Sequence, residues 1–181
     1  MCGFLHRLVQ YQAWANAAFF DQMAKVDRET YGLTFGDALR LMSHCYVVAD
    51  IFSAHLTGRK HGYETDMMTN MPTLEDLCDK MARIDQWYMD YSHDLTPDAG
   101  AEKLAFRFTD GDPGYMSRTE MIIHVVLHGG YHRGEIGQFL KLASVMPPWD
   151  TFAVFTHQDD PHLREQGRAV GLKEAVIPSR H

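Results

Sequence analysis

Eleven histidines occur in the 181-residue chain, and three of them, His124, His128 and His132, fall close together at intervals of four. Imidazole is the commonest ligand for transition metals, so the first question is whether this spacing can chelate one. Each step of four on an α-helix turns the side chain by about 40° and raises it by about 6 Å. Two neighbours in the series therefore lie one turn apart on one face, where both rings can close on a single ion at about 2.0–2.1 Å. All three cannot, because eight residues span about 12 Å of helix axis. One HxxxH pair must chelate, spacing alone does not say which, and a third ligand must come from elsewhere.

His44, in Leu41-Met-Ser-His44-Cys-Tyr, is a candidate for that third ligand. It lies close to an apolar stripe of Leu41, Cys45 and Val48, where an imidazole needs a partner. Facing helices that supply one histidine and one HxxxH pair are an established way to build a metal site in a bundle core. Gly129 and Gly130 follow His128 in mid-helix, at a cost of about 1 kcal/mol each relative to alanine, and a close approach by a neighbouring helix or a ligand would compensate. The zinc-protease pattern is excluded, because the residue after each candidate first histidine is Val125 or Gly129 rather than glutamate. Glu135, three residues beyond His132, is the acid on the same face; it is placed to orient an imidazole, act as a base, or face solvent. Arg133 points off that face and reads as a surface ion pair.

The elements that would position these residues read as four long helices. Phe4–Val26 carries Leu5, Leu8, Val9, Trp14 and Met23 at helical spacing, and the polar stretch Asp27–Gly36 reads as a loop. Phe35–Leu56 is helical, with Asp37 as its cap, and Gly58–Pro72 is a loop. Thr73 and Asp76 have the spacing of a capping box, opening a third helix that Pro97 ends. Leu104, Phe106 and Phe108 then alternate with polar residues before Asp110–Gly114, which predicts a short extended arm or hairpin. Ser117 and Glu120 restart a helix that runs to about Leu142, before Pro147-Pro148. Trp149–Phe155 reads as extended, and Pro161–Val170 as a short helix in a polar tail whose end is expected to be disordered.

Composition narrows the class. Hydrophobic residues make up 45% and charged residues 23%, enough for both a core and a solvated surface. The net charge of −7 argues against a nucleic-acid partner. No apolar run approaches the roughly 18–20 residues that span a bilayer, and Met1–Gln10 lacks a basic segment followed by an apolar one. A cytoplasmic protein with no membrane partner is expected. Cys2, Cys45 and Cys78 form no CxxC, which predicts reduced thiols.

Taken together, four passages resemble the DinB family of metal-dependent four-helix proteins. They are Tyr11-Gln-Ala-Trp14-Ala-Asn16, the histidine His44, His124-Val-Val-Leu-His128-Gly-Gly-Tyr-His132-Arg-Gly-Glu135, and Pro147-Pro148-Trp-Asp150. The resemblance implies a divalent metal, zinc or nickel first, on His44, His128 and His132. That would select the second HxxxH pair and leave His124 to packing or to a supporting position. It further implies an all-α fold, a four-helix bundle of up-down-down-up connectivity over residues 1–157, frequently a homodimer. Residues 158–181 would be a polar tail, part of the same domain or partly disordered. Related members are S-transferases or isomerases that use bacillithiol, mycothiol or glutathione. A small electrophile as substrate and a low-molecular-weight thiol as cosubstrate are therefore implied. The chain departs from the pattern at Glu135, where the family usually has glutamine; glutamate adds negative charge near the ion. A metal-dependent hydrolase with Glu135 as base, and a non-catalytic stress-related protein with a structural metal, are the alternatives.

Overall fold

The computed structural model describes residues 2–170; the end of the tail, expected to be disordered, lies outside them. The chain divides into two compact units, residues 1–148 and residues from Trp149 onward. The first contains α1 (Cys2–Met23), α2 (Arg28–Thr57), α3 (Leu74–Asp94), α4 (Pro97–Ala101), β1 (Lys103–Arg107), β2 (Pro113–Ser117) and α5 (Arg118–Leu142). The described part of the second contains α6 (Phe152–Asp159) and α7 (His162–Ala169). The class is mainly helical, as expected, with one small two-stranded sheet.

Capping chemistry sets the helix boundaries, and it corrects the expected start of α2. Asp27, not Asp37, is the cap: its carboxylate accepts from the N–H groups of Glu29 and Thr30 and from the Thr30 hydroxyl at 2.6 Å. Those bonds hold the Asp27 carboxyl below its ordinary range. The stretch expected as a loop is thus the first turns of a 30-residue helix, with a kink at Tyr31. Asp37 sits within it, paired with Arg40 one turn on at 3.4 Å. The helix stops at Gly58, whose φ of 70° suits glycine, and the Gly58 N–H closes on the carbonyls of Ala54 and His55.

Thr73 caps α3 by accepting from the Asp76 N–H at 3.0 Å. Asp94 ends that helix, and Pro97 does not merely terminate: capped by Thr96, it opens α4. β1 and β2 pair antiparallel as the expected hairpin, Leu104 opposite Met116 and Phe106 opposite Gly114. Ser117 and Glu120 form the expected capping box at the head of α5. In the second unit the segment expected to be extended is instead helical from Phe152. There Thr151 accepts from the Val154 N–H, a cap that the Trp-Asp-Thr run concealed.

The four long helices of the first unit pack in a closed circuit, α1 on α3, α3 on α2, α2 on α5 and α5 on α1. Two apolar clusters fill the interior. One gathers Phe19, Phe20, Met23, Met42, Leu77, Ile136 and Leu140, and the other Leu5, Val9, Phe52, Leu56, Tyr88, Met121 and Ile122. Each such side chain contributes about 1.5–3 kcal/mol through burial. Between Met42 and Phe52 on α2, and between Ile122 and Ile136 on α5, the chain passes from one cluster to the other. The polar residues of interest lie in that band. Among the described residues, no helix is long and apolar enough to cross a membrane.

Candidate metal centre

His44 on α2 faces His128 and His132 on α5, the two helices that pack most extensively against each other. The ring centroids lie 4.8 Å apart for His44–His128, 4.8 Å for His44–His132 and 4.5 Å for His128–His132. One nitrogen from each ring falls within 4.8 Å of the others, close enough to hold a divalent metal ion. His124, the first member of the series, is outside this group. It packs against Phe52 at 4.7 Å and His128 at 5.6 Å.

Hydrogen bonds fix the tautomer of two of the three rings. His44 Nδ1 lies 2.8 Å from the backbone carbonyl oxygen of Asp66, which only accepts, so Nδ1 donates and Nε2 carries a lone pair. His132 Nδ1 lies 2.6 Å from Glu135 Oε2, which likewise orients that ring and leaves its Nε2 lone pair free. His44 Nε2 and His128 Nε2 then stand 3.0 Å apart. Two lone pairs bound at about 2.0–2.1 Å to one tetrahedral ion would lie about 3.3 Å apart. The donor set, its spacing and its supporting bonds therefore fit a borderline-soft divalent cation. Burial, reinforced by His44, His132 and His124, pushes His128 down to about 3, so the ring is neutral at physiological pH.

Asp66 is a supporting residue that sequence reasoning missed. It acts through its carbonyl, which every residue possesses, with its carboxylate 3.7 Å from the same nitrogen, and it sits in the loop after α2, where no periodicity marks it. Cys45, next to His44, is buried among the core and its thiol is pushed up to about 12, so it stays protonated. Neither it nor Cys78 belongs to the cluster.

Arg133 corrects another expectation. It does point off the imidazole face, but inward: the side chain is fully buried rather than paired at the surface. Its Nη1 donates to Asn16 Oδ1 at 2.9 Å, and Asn16 Nδ2 donates to both oxygens of Asp85, at 2.9 and 3.1 Å. The guanidinium also lies over Tyr11, 5.7 Å from the ring centre. α1, α3 and α5 are thus joined through one polar chain. Gly129 belongs to it by default of a side chain, because a Cβ there would stand 3.1 Å from both Gln12 Oε1 and Arg133 Nη1. The signal was present in the order Ile122, Val126, Gly129, Arg133, Ile136 and Leu140, a stripe of helical period in which arginine takes a core position.

The chain is 25% identical over 157 residues to Protein DinB of Bacillus subtilis (strain 168), covering 79% of this chain and 88% of that protein. No solved structure matches it. The profile that describes the DinB family matches residues 1–167, most of the chain and all of the helices named above except the last turn of α7. The chain is a member of the DinB family.

Proposed function

We propose that His44, His128 and His132 hold a catalytic divalent metal, and that the protein is a thiol-dependent S-transferase acting on small electrophiles. The observation that carries this reading is the pair of oriented imidazoles. Asp66 and Glu135 each hold an Nδ1–H, so the Nε2 lone pairs converge with His128 on one point. Three neutral ligands leave a coordination position open, as catalytic rather than structural sites do. An ion bound there would supply Lewis acidity, lowering the pKa of a thiol and presenting thiolate at neutral pH. The net reaction joins the thiol sulfur to an electrophilic carbon while the leaving group departs with the thiol proton. Neither Cys45 nor Cys78 belongs to the cluster, and in this reading the sulfur comes from a small cosubstrate. In this scheme Glu135 is a positioning residue acting through His132. Its side chain is nonetheless 43% exposed, which leaves it room to serve as a base. We read the circuit of four long helices as the up-down-down-up bundle and expect a homodimer in solution.

The test is conjugation. Protein loaded with zinc or nickel is mixed with glutathione, bacillithiol or mycothiol and a reactive aryl halide. Turnover that disappears with chelator and in His44→Ala supports the proposal. Stoichiometric metal with no conjugation of any of these thiols overturns it. Ester hydrolysis without thiol, abolished in Glu135→Ala, would instead make the protein a hydrolase and Glu135 its base. Unfolding on chelation, with no turnover of either kind, would make the metal structural.

A further inference from the structure

On the other side of α2 from the imidazoles, Tyr46, Asp50, Ser53 and Thr57 recur with a helical period and face α3 across a cavity of about 380 Å³. Lys80, Arg83 and Trp87 of α3 and Arg59 of the following loop complete its lining. The charges are unevenly matched. Asp50 is the single acid, and it is already engaged by Arg59 and by the Tyr63 hydroxyl at 2.9 Å. Lys80 and Arg83, one turn apart on α3, form no hydrogen bond or ion pair among the described residues. The cavity thus carries a local excess of two positive charges in a chain whose net charge is −7. Trp87 forms one wall, with its ring stacked on Tyr91 at 4.9 Å, so that this wall is held in place.

We propose that this cavity is a second ligand site, separate from the imidazole cluster, for a small phosphate monoester whose ester group is flat and apolar. The guanidinium of Arg83 offers a planar fork and Lys80 a mobile point charge, a pairing suited to the oxygens of a dianion. Trp87 and Tyr46 offer the ester group aromatic surface. Ser53 and Thr57 spend their hydroxyl protons on the helix backbone, to Asp50 and to Ser53 and Ala54. They can therefore only accept from the ligand, and the anion's recognition rests on the two cations. The cavity volume limits the occupant to a small molecule.

Phenyl phosphate, with inorganic phosphate and phenol as its two halves, is the probe. Its binding is followed by tryptophan fluorescence and by calorimetry in the metal-free His44→Ala protein, where the imidazole cluster cannot coordinate phosphate oxygens to a metal. Saturable binding of phenyl phosphate, tighter than that of either half, is expected. It should weaken about tenfold or more in Lys80→Ala/Arg83→Ala, and weaken further with added salt. Arg83 is exposed and Lys80 half-buried on α3, outside the two apolar clusters, so the double variant is expected to fold, which circular dichroism verifies. Failure to saturate in the folded protein, or equal affinity in the double variant, overturns the proposal. Because thiol conjugation is not measured, neither result bears on the S-transferase reading.

Discussion

His132 and Arg133 are neighbours in sequence, yet they belong to two polar clusters of different make-up, one half-buried and one buried. Around Arg133 donors meet acceptors: guanidinium to amide oxygen, amide nitrogen to carboxylate, from α5 through α1 to α3. Such a chain ties three helices together, beside a buried Gln12 Oε1 that finds no hydrogen-bond partner among the described residues. Around His132 the groups are alike. Three imidazoles turn ring nitrogens toward one another, and Asp66 and Glu135 hold two of them at Nδ1. The 3.0 Å approach of His44 Nε2 to His128 Nε2 can share one proton between those two rings, whereas a cation could engage all three. Burial of polar groups is therefore not what distinguishes a site from a structural network; the convergence of like ligand atoms is.

The largest effect that would test this contrast is on stability. Arg133→Met breaks the buried bond to Asn16 Oδ1 and removes the positive charge that faces the buried Asp85 carboxyl. The expected loss is about 3–5 kcal/mol, read from urea unfolding of metal-free protein. His128→Leu in the same metal-free state should change stability by only about 1 kcal/mol or less, because it exchanges a half-buried imidazole, bonded to His44, for an apolar side chain of similar size. Equal losses in the two variants would mean that the imidazoles too form a self-sufficient network.

The next effect is on metal affinity. Glu135→Leu deprives His132 Nδ1 of its acceptor and should weaken metal binding by about 10–100-fold, measured by competition with a chromogenic chelator. Glu135→Gln keeps an amide oxygen in the same place and should lose less. A Glu135→Leu protein that binds metal as well as the parent would show that the 2.6 Å bond does not orient the ring.

A pH titration probes the other cluster. Burial raises Asp85 to about 7, against the opposing pull of Asn16 and Arg133. The folded state then holds a proton that the unfolded chain releases near pH 4. This contribution to stability is greatest at low pH and is lost as pH rises through about 7. Between pH 5 and pH 8 metal-free wild type should lose stability relative to Asp85→Asn, at up to about 1.4 kcal/mol per pH unit below 7. Parallel profiles for the two proteins would place the Asp85 carboxyl in its ordinary range.

The two clusters also differ in how far sequence revealed them. The imidazole site was legible because its logic is local: a HxxxH pair defines a chelating face within one turn, and His44 stood out as a polar residue close to an apolar stripe. Only the choice between the two pairs required more than spacing. The Arg133 network was illegible because it joins positions 16, 85 and 133, and no periodicity in one helix says what the others present to it. Boundaries followed the same rule. The caps at Thr73 and Ser117 act within their own turn and were found, whereas Asp27 was concealed by the polar, glycine-containing turns that follow it.

The smallest effects separate the paired glycines of α5, which sequence treats alike. A Cβ on Gly130 would meet only Arg133 Nη2, at an ordinary 3.8 Å, so Gly130→Ala should gain about 0.5–1 kcal/mol from helix propensity and a less flexible unfolded chain. A Cβ on Gly129 would lie 3.1 Å from both Gln12 Oε1 and Arg133 Nη1, tighter than these buried groups tolerate without shifting. The same propensity gain is available there, but part of it is spent in moving a guanidinium that is already bonded to Asn16. Gly129→Ala should therefore be less stable than Gly130→Ala in urea unfolding. In the Arg133→Met background, where that guanidinium is absent, the gap between the two alanine variants should narrow. A gap unchanged by Arg133→Met would mean that Gly129 is required by the helix–helix approach at Gln12 and not by the polar network it adjoins.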